Sequence, residues 1–371
     1  MKRLRHAGAL FLIAATCLLI LFGLGELGLR TAVFSSALRI ESLRQAWRYA
    51  DPAFDDDFWK LTRIFGTEGQ AVFDFARPDT VLGWTIPTTA DNPLGVTSLA
   101  SVRPDSVRSP VLFFGDSYVA GLELGESLVD ELNEILIDRT ALNYGVSGYG
   151  VGQMYLRFLQ VLEEFDGSGV PDRPVVLVGI LTSDLDRTVL SFRGHQKPKF
   201  EMANGRLELT NVPLSLDTRE HLGQYPVRIR SYLYRAISMR LRSLLGEEAT
   251  DVLFGYKERR EQRSTVNRAL FDAFKTAAEV RGIPIGFVIF TGMDELQPSG
   301  WRETYLRRTL AELALPHFDA EAHLMTRMEQ DGLDAGDVYY VENNHLNLRG
   351  NAIVADGLTG FLESFAPLAP R

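Results

Sequence analysis

The chain has 371 residues, 46% of them hydrophobic and 23% charged, which is the composition of a folded protein with a sizeable buried core. The formal net charge of −9 excludes a general nucleic-acid binder, because such a protein needs a basic surface for the phosphates. The single cysteine, Cys17, excludes an intramolecular disulfide and any site built from several thiolates.

An uncharged apolar run, AGALFLIAATCLLILFGLG (7–25), follows the basic start MKRLRH. As a helix this run would be about 28 Å long, close to the roughly 30 Å of a bilayer core. The apolar region of a cleaved signal peptide is shorter, roughly 7–15 residues. We therefore predict a signal anchor over residues 1–30, with a transmembrane helix at about 7–25. The basic residues before the run place the N-terminus in the cytoplasm and the rest of the chain across the membrane. Cleavage near Gly23 and Gly25 is the alternative.

Residues 31–109 are predicted to be a stalk followed by an irregular lead-in. The segment TAVFSSALRIESLRQAWRYA (31–50) has the pattern of an amphipathic helix that continues out of the membrane. Residues 51–109 contain several prolines and little periodicity, which favours irregular structure.

From residue 110 onward, apolar strands alternate with amphipathic helices. The predicted strands are VLFF (111–114), ALNY (141–144), PVVLVGIL (174–181), IPIGFVIF (283–290) and PHFDA (316–320). The predicted helices span residues 127–136, 150–165, 264–282, 301–315 and 350–365. Strands that are apolar on both faces and separated by helices indicate an α/β fold with a parallel sheet covered on both sides. We therefore expect one domain over residues 110–371.

An insertion at about residues 187–263 interrupts this alternation. KFEMANGRLELT (199–210) is predicted to be a hairpin with Asn204-Gly205 as its turn. VRIRSYLYRAISMRLRSLL (227–245) is predicted to be an arginine-rich helix. Its arginines would either contact anionic lipid or an acidic polymer, or form an ordinary solvated face.

A possible serine-hydrolase site is divided between the two ends of this domain. Ser117 follows the first strand in VLFFGDSYVAG (111–121), and His345 lies in YYVENNHLNLRGN (339–351) before the last helix. Nucleophilic serine catalysis needs a hydroxyl, a base, a group that orients the base, and donors for the oxyanion. Ser117, His345 and Glu342 could supply the first three, with Asp337 or a backbone carbonyl as the alternative orienting group. The backbone N–H groups of Ser117 and Gly148 are candidate oxyanion donors.

The three blocks GDS, NYGVSGYG (143–150) and ExxHxNxxG resemble the SGNH (GDSL) hydrolase superfamily over roughly residues 110–366. The resemblance implies a three-layer α/β/α sandwich with a flavodoxin-like parallel sheet. It also implies that Ser117 is the nucleophile and a backbone donor, that Gly148 is a second donor, and that His345 and Glu342 complete the triad. The layout is similar to membrane-anchored members of bacterial surface-polysaccharide systems.

Two positions depart from the family pattern. The family's third block, GxND, reads GILTSD (179–184) here, so that Ser183 replaces the asparagine that completes the oxyanion hole. Ser183 is expected either to donate in its place or to be idle. Where the family's triad usually has an aspartate, this chain has Glu342, whose side chain is one methylene longer.

The resemblance implies a carboxylic ester hydrolase in the bacterial inner membrane, with its catalytic domain on the periplasmic side. Its expected substrates are O-acyl esters, in particular O-acetyl groups of a polysaccharide. An O-acetyltransferase that uses the same site, or a catalytically impaired protein of glycan binding or polysaccharide assembly, is the alternative. No cofactor and no metal are expected, because the spacing of His317, Asp319 and His323 matches no ligand pattern.

Overall fold

Helices and strands alternate along the chain in a computed structural model that describes residues 2–67, 76–97, 102–122, 126–170, 172–246, 249–250, 256–293, 296 and 300–368. In chain order the α-helices are α1 (Lys2–Phe34), α2 (Asp56–Phe65), α3 (Ser117–Ala120), α4 (Leu128–Ile135), α5 (Val151–Asp166), α6 (Asp184–Arg187), α7 (Thr218–Gln224), α8 (Tyr232–Leu245), α9 (Tyr256–Arg281), α10 (Trp301–Glu312), α11 (Ala320–Asp331), α12 (Ala335–Val338) and α13 (Leu348–Phe365). The strands are β1 (Arg77–Asp79), β2 (Gly83–Thr85), β3 (Val111–Gly115), β4 (Ala141–Gly145), β5 (Val175–Leu181), β6 (Phe192–Arg193), β7 (His195–Gln196), β8 (Phe200–Ala203), β9 (Arg206–Leu209), β10 (Ile285–Phe290), β11 (His317–Asp319), β12 (Tyr339–Tyr340) and β13 (His345–Leu346).

The chain divides into two compact units. The smaller unit consists of Met1–Ala71, Phe192–Gly194 and Arg219–Arg260, and the larger unit of Val72–Ser191, His195–Thr218 and Glu261–Arg371. The domain boundaries at residues 30 and 109 and the insertion at 187–263 stay predictions.

The larger unit is built on a five-stranded parallel sheet in the order β4-β3-β5-β10-β11. Counted along the chain, this is the order 2-1-3-4-5 of flavodoxin-like sheets. Every residue of β3, β4, β5 and β10 is buried, because helices cover both faces of a parallel sheet. The predicted α/β fold with a flavodoxin-like parallel sheet is therefore confirmed.

Two apolar cores, one on each face of the sheet, complete a three-layer sandwich. Alternate residues of β3 enter different cores, as the period of a strand requires. Phe114 packs with Phe158 of α5 and with α9 on one face. Phe113 packs with Leu358 of α13 and with α4 and α11 on the other face. The α/β/α layering predicted from the resemblance is thus confirmed.

Local sequence signals set several element boundaries in this unit. Ser127 and Asp130 form a capping box at the start of α4, as their spacing predicts. The hairpin of β8 and β9 turns through Asn204 and Gly205, which both have positive φ (52° and 75°), as a tight two-residue turn requires. The predicted helix at 264–282 belongs to α9, which begins earlier.

The smaller unit has its own small core, in which Val33, Tyr49, Leu61 and Tyr232 are buried together. Val33 comes from the C-terminal end of α1, Leu61 from α2 and Tyr232 from the start of α8. The last turns of the N-terminal helix are therefore part of the packing of this unit.

The predicted helix over residues 31–50 is wrong beyond Phe34. The Ser35 hydroxyl accepts hydrogen bonds from the backbone N–H groups of Ala37 (3.2 Å) and Leu38 (3.3 Å), a local pattern that competes with helix continuation. Arg44 donates to the carbonyl of Val33 at 2.9 Å, which satisfies a group at the helix end. Short 3₁₀ turns at Glu41–Leu43 and Ala46–Arg48 follow instead.

One helix among the described residues is long and apolar enough to cross a membrane. This segment of α1, Leu10–Phe34, has a mean hydropathy of 2.3 over its most apolar window, and none of that window is buried within the protein. A signal sequence near the N-terminus passes the same test of length and hydropathy.

Candidate active site

The carboxyl end of β3 is closely packed against the short helix that contains Ser117. Gly145 of β4 faces the backbone of Ala120, and a Cβ there would lie 2.4 Å from the Ala120 nitrogen. Gly179 of β5 is equally constrained, since a Cβ there would lie 2.6 Å from a methyl carbon of Val119. These glycines let α3 lie directly on the sheet, and the packing fixes Ser117 at its carboxyl edge.

Ser117 and His345 are in direct contact, although they are 228 residues apart. The Ser117 Oγ lies 2.8 Å from the Nε2 of His345, within the range for a nucleophile and its general base. On the other side of the ring, the Nδ1 of His345 lies 2.8 Å from the backbone carbonyl oxygen of Asn343. A carbonyl can only accept, so Nδ1 carries the proton and Nε2 is free to accept the Ser117 proton.

Glu342 does not lie on the imidazole of His345. Its side chain is exposed, and within the described part of the chain it forms no hydrogen bond with the ring. The reason is the turn that precedes His345, in which Asn344 has a positive φ of 65° and bends the chain back. The bend brings the Asn343 carbonyl to Nδ1, so that a backbone carbonyl holds the ring at the place predicted for the acid.

Tyr118 fixes the position of the loop that contains Asn344 and His345. Its hydroxyl donates to the carbonyl oxygen of Asn344, and its ring packs against the His345 ring with centroids 5.0 Å apart. Tyr118 is buried at 5% exposure, so the loop is fixed to the helix that contains the nucleophile. The sequence does not predict this role of Tyr118, because no motif links an aromatic residue after Ser117 to a loop near residue 344.

A buried ion-pair network includes Asp116, the residue directly before Ser117. Asp116 and Asp184 are both fully buried, and one guanidinium nitrogen of Arg187 lies 2.7 Å from the first carboxylate and 2.5 Å from the second. Burial lowers the pKa of Arg187, but the charges of Asp184 and Asp116 outweigh that effect, and its pKa is raised overall. Arg187 therefore ties the loop after β5 to the loop before Ser117. It was not predicted; only its position three residues after Asp184 hinted at a pair.

The candidate oxyanion donors follow the carboxyl ends of neighbouring strands. The backbone N–H of Ser117 makes no hydrogen bond within the described part of the chain and can donate to a bound oxyanion. Gly148 follows β4 and has a φ of 82°. Ser183 precedes α6 after β5, and its side chain makes no capping hydrogen bond there.

A cavity of about 160 Å³ opens beside the Ser117–His345 pair. Gly148 and Ser183 are not among the described residues that line it. Its walls include the nucleophile and base together with two aromatic and two acidic side chains: Ser117, His345, Tyr118, Tyr340, Glu126 and Glu342. The site thus has room for a small group, and carboxylates border it.

The three residues with a loose metal-ligand pattern are engaged elsewhere. Nδ1 of His317 lies 3.1 Å from the carbonyl oxygen of Leu315, and Nε2 of His323 lies 3.1 Å from that of Ile353. Asp319 accepts from an Arg side chain at 2.6 Å. No group of three or more potential ligands occurs among the residues that the structure describes.

Comparisons with known proteins find distant matches among solved structures only. No protein-family model matches the chain, and no curated protein does. Among solved structures, the chain is similar to a member of the lipolytic G-D-S-L family from Veillonella parvula DSM 2008, with 17% identity, 70% of this chain and 99% of that chain covered, and a TM-score of 0.33. It is also similar to the structure of TesA, with 14% identity, 69% and 99% covered, and a TM-score of 0.35. The first of these structures is named for the family that the sequence motifs resemble, and TM-scores of 0.33 and 0.35 assign neither a family nor an activity to this chain.

Proposed function

We propose that the chain is a serine hydrolase of carboxylic esters, with Ser117 as nucleophile and His345 as general base. The observation that supports this most directly is the 2.8 Å contact between Ser117 Oγ and His345 Nε2. It lies at the carboxyl edge of a parallel sheet, where α/β proteins of this topology bind their ligands.

In the proposed reaction, Nε2 of His345 takes the Ser117 proton while Oγ attacks the ester carbonyl carbon. The oxyanion that forms is stabilised by the backbone N–H of Ser117, with Gly148 and Ser183 as the further proposed donors. The imidazolium then gives its proton to the departing alcohol, which leaves an acyl group on Ser117. His345 then takes a proton from water, which attacks the acyl carbon; the bond to Ser117 Oγ breaks, the carboxylic acid leaves, and the imidazolium returns the proton to Oγ.

The Asn343 carbonyl supplies part of what an acid normally supplies in such a site. It keeps the proton on Nδ1, which is the tautomer that general-base catalysis needs. A neutral carbonyl lacks the full negative charge that stabilises an imidazolium. We therefore expect His345 to be a working but moderate base. In this proposal Glu342 borders the cavity and does not orient His345.

The proposed substrates are esters of a small acyl group, O-acetyl groups of a polysaccharide in particular. The cavity of about 160 Å³ is small beside the pockets of roughly 300–1,000 Å³ that enclose drug-sized ligands. Acetyl fits such a space better than a long acyl chain, and the sugar portion would remain outside it.

The proposed location is the bacterial inner membrane, with α1 retained as an anchor and the larger unit on the periplasmic side. The basic residues before the apolar run support this orientation.

The test uses the full-length protein in detergent or nanodiscs. We expect a fluorophosphonate to label the wild type but not Ser117→Ala, and p-nitrophenyl acetate to be hydrolysed faster than p-nitrophenyl octanoate. A folded wild type that is neither labelled nor active on any short ester would contradict the hydrolase proposal. Faster octanoate hydrolysis would contradict only the small acyl group.

A further inference from the structure

Two of the three arginines of helix α8, in the smaller unit, face the interior of that unit. The guanidinium of Arg235 lies 2.5 Å from the carboxylate of Asp55, and that of Arg242 lies 3.4 Å from Asp51. Arg242 is buried, and so is Ser238 on the same side of the helix. Two of the five arginines in 227–245 are thus neutralised inside the unit, while Arg228, Arg230 and Arg240 are exposed.

The outward side of α8 is apolar. Tyr234, Ile237 and Leu244 are 48%, 48% and 63% exposed, and Leu241 between them is half-buried. Their spacing of three and four residues places them on one face of the helix. A surface helix of a water-soluble protein has the opposite arrangement, with apolar residues inside and charges outside. This reversed arrangement is expected where the outer face of the helix contacts lipid or another protein surface instead of water.

The start of α8 is fixed to α1 where the uncharged run of α1 ends. The Glu26 carboxylate accepts from the Ser231 hydroxyl (2.9 Å) and from the backbone N–H groups of Tyr232 (3.0 Å) and Leu233 (2.8 Å). Arg30 donates to the carbonyl of Arg230 at 2.7 Å. These bonds hold the first turn of α8 beside residues 26–30 of α1.

We propose that the apolar face of α8 lies in the lipid leaflet into which α1 runs, at the boundary between headgroups and acyl chains. If residues 7–25 cross the bilayer core, the edge of the core falls at residue 25, level with the first turn of α8. Arg240, exposed beside the apolar face and without a partner among the described residues, would reach the lipid phosphates. The proposal rests on α1 being retained as an anchor, and is independent of ester hydrolysis.

We favour a lipid leaflet over a second copy of the chain as the neighbour of this face, because α1 enters the leaflet directly beside the first turn of α8. The membrane then holds the smaller unit at two places, the spanning helix and the surface helix α8. Such a double attachment limits how far this unit can tilt from the bilayer surface.

The experiment uses the full-length chain with Cys17→Ser, so that each new cysteine is the sole labelling site. Ile237→Cys and Leu244→Cys each receive an environment-sensitive fluorophore, and the proteins are placed in phosphatidylcholine nanodiscs. Ser243→Cys is the matched control, because Ser243 is exposed on the same helix about 120° around from Ile237. We expect emission at shorter wavelength at positions 237 and 244, and quenching by doxyl-labelled lipid about twofold or more stronger than at 243.

Equal emission and equal quenching at all three positions would overturn the proposal. So would disulfide cross-linking of two chains through position 237 without lipid quenching, which would identify a second copy as the neighbour. Intact mass shows whether α1 is retained, and a mature chain that begins near residue 26 would overturn the proposal as well. Fluorophosphonate labelling of Ser117 in the same samples reports on the hydrolase separately.

Discussion

Replacing Glu342 by Gln separates the arrangement in the structure from the one that the sequence motif implies. The side chain is exposed and the Nδ1 of His345 is occupied by the Asn343 carbonyl at 2.8 Å. Removal of this charge should therefore leave the tautomer and the position of His345 unchanged. We expect Glu342→Gln to retain most of the esterase activity.

The expected magnitude follows from the exposure of the carboxylate. An exposed charge contributes at most about 1 kcal/mol to a neighbouring ionic state, which corresponds to a factor of about five in kcat/KM. An acid that directly orients a catalytic histidine is worth about 10⁴-fold, or roughly 5.5 kcal/mol. The two arrangements thus differ by about three orders of magnitude in the predicted effect.

The assay compares kcat/KM for p-nitrophenyl acetate in the wild type, Glu342→Gln, Glu126→Gln and Ser117→Ala. Glu126 is the matched control, because it is a second carboxylate on the wall of the same cavity. Similar small losses for both glutamate variants would agree with the structure. A loss of about 10³-fold or more for Glu342→Gln alone, in a protein of unchanged thermal stability, would refute the assignment of the Asn343 carbonyl.

Three further predictions concern Tyr118 and Arg187, which lie beside the site, and Glu131 of helix α4. Tyr118→Phe removes the hydroxyl that fixes the Asn344 carbonyl, so kcat should fall about tenfold with little change in KM, and an unchanged kcat would contradict this role. Arg187→Met removes the cation that Asp116 and Asp184 share and should lower the free energy of unfolding, measured by urea denaturation, by about 3–5 kcal/mol, with Arg187→Lys less damaging. Burial raises the pKa of Glu131, and the negative charges of Glu134 and Asp130 raise it further. The folded state therefore holds this proton more tightly than the unfolded state, and the free energy of unfolding of the wild type falls as the pH rises from the ordinary glutamate pKa through the raised pKa. Glu131→Gln should therefore be more stable by about 0.2–0.5 kcal/mol at pH 7 and equal near pH 4, and a gain that is the same at both pH values would contradict the cause given.

Much of the larger unit could be predicted from the sequence, because its signals are local. Strands such as 111–114 and 283–290 are apolar on both faces, which is typical of a sheet covered on both sides. Residues that follow parallel strands meet at one edge of the sheet, so the sequence alone predicts that Ser117 lies near the other candidate residues. The capping box at Ser127 and the turn at Asn204-Gly205 are equally local, and both are present.

The sequence could not choose between Glu342, Asp337 and a backbone carbonyl as the partner of His345, because the choice depends on the backbone conformation of the loop. The motif indicates an acid three residues before the histidine, and Glu342 is there. The positive φ of Asn344 and its bond from the Tyr118 hydroxyl present a carbonyl instead. The contact of Arg187 with Asp116, 71 residues away, likewise has no local signature.

The sequence by itself determined which segments are apolar, where helices and strands alternate, and which residues could form a serine-histidine pair. Periodicity and composition carry that information, since it concerns neighbours along the chain. Tertiary structure alone decided which side of α8 faces the protein. The helical pattern of 227–245 is compatible with arginines facing outward, but the carboxylates of Asp55 and Asp51 pair with Arg235 and Arg242 and hold these two guanidinium groups inward. Charge pairing between distant segments outweighed the usual preference for a solvated basic face, and it left the apolar face outside.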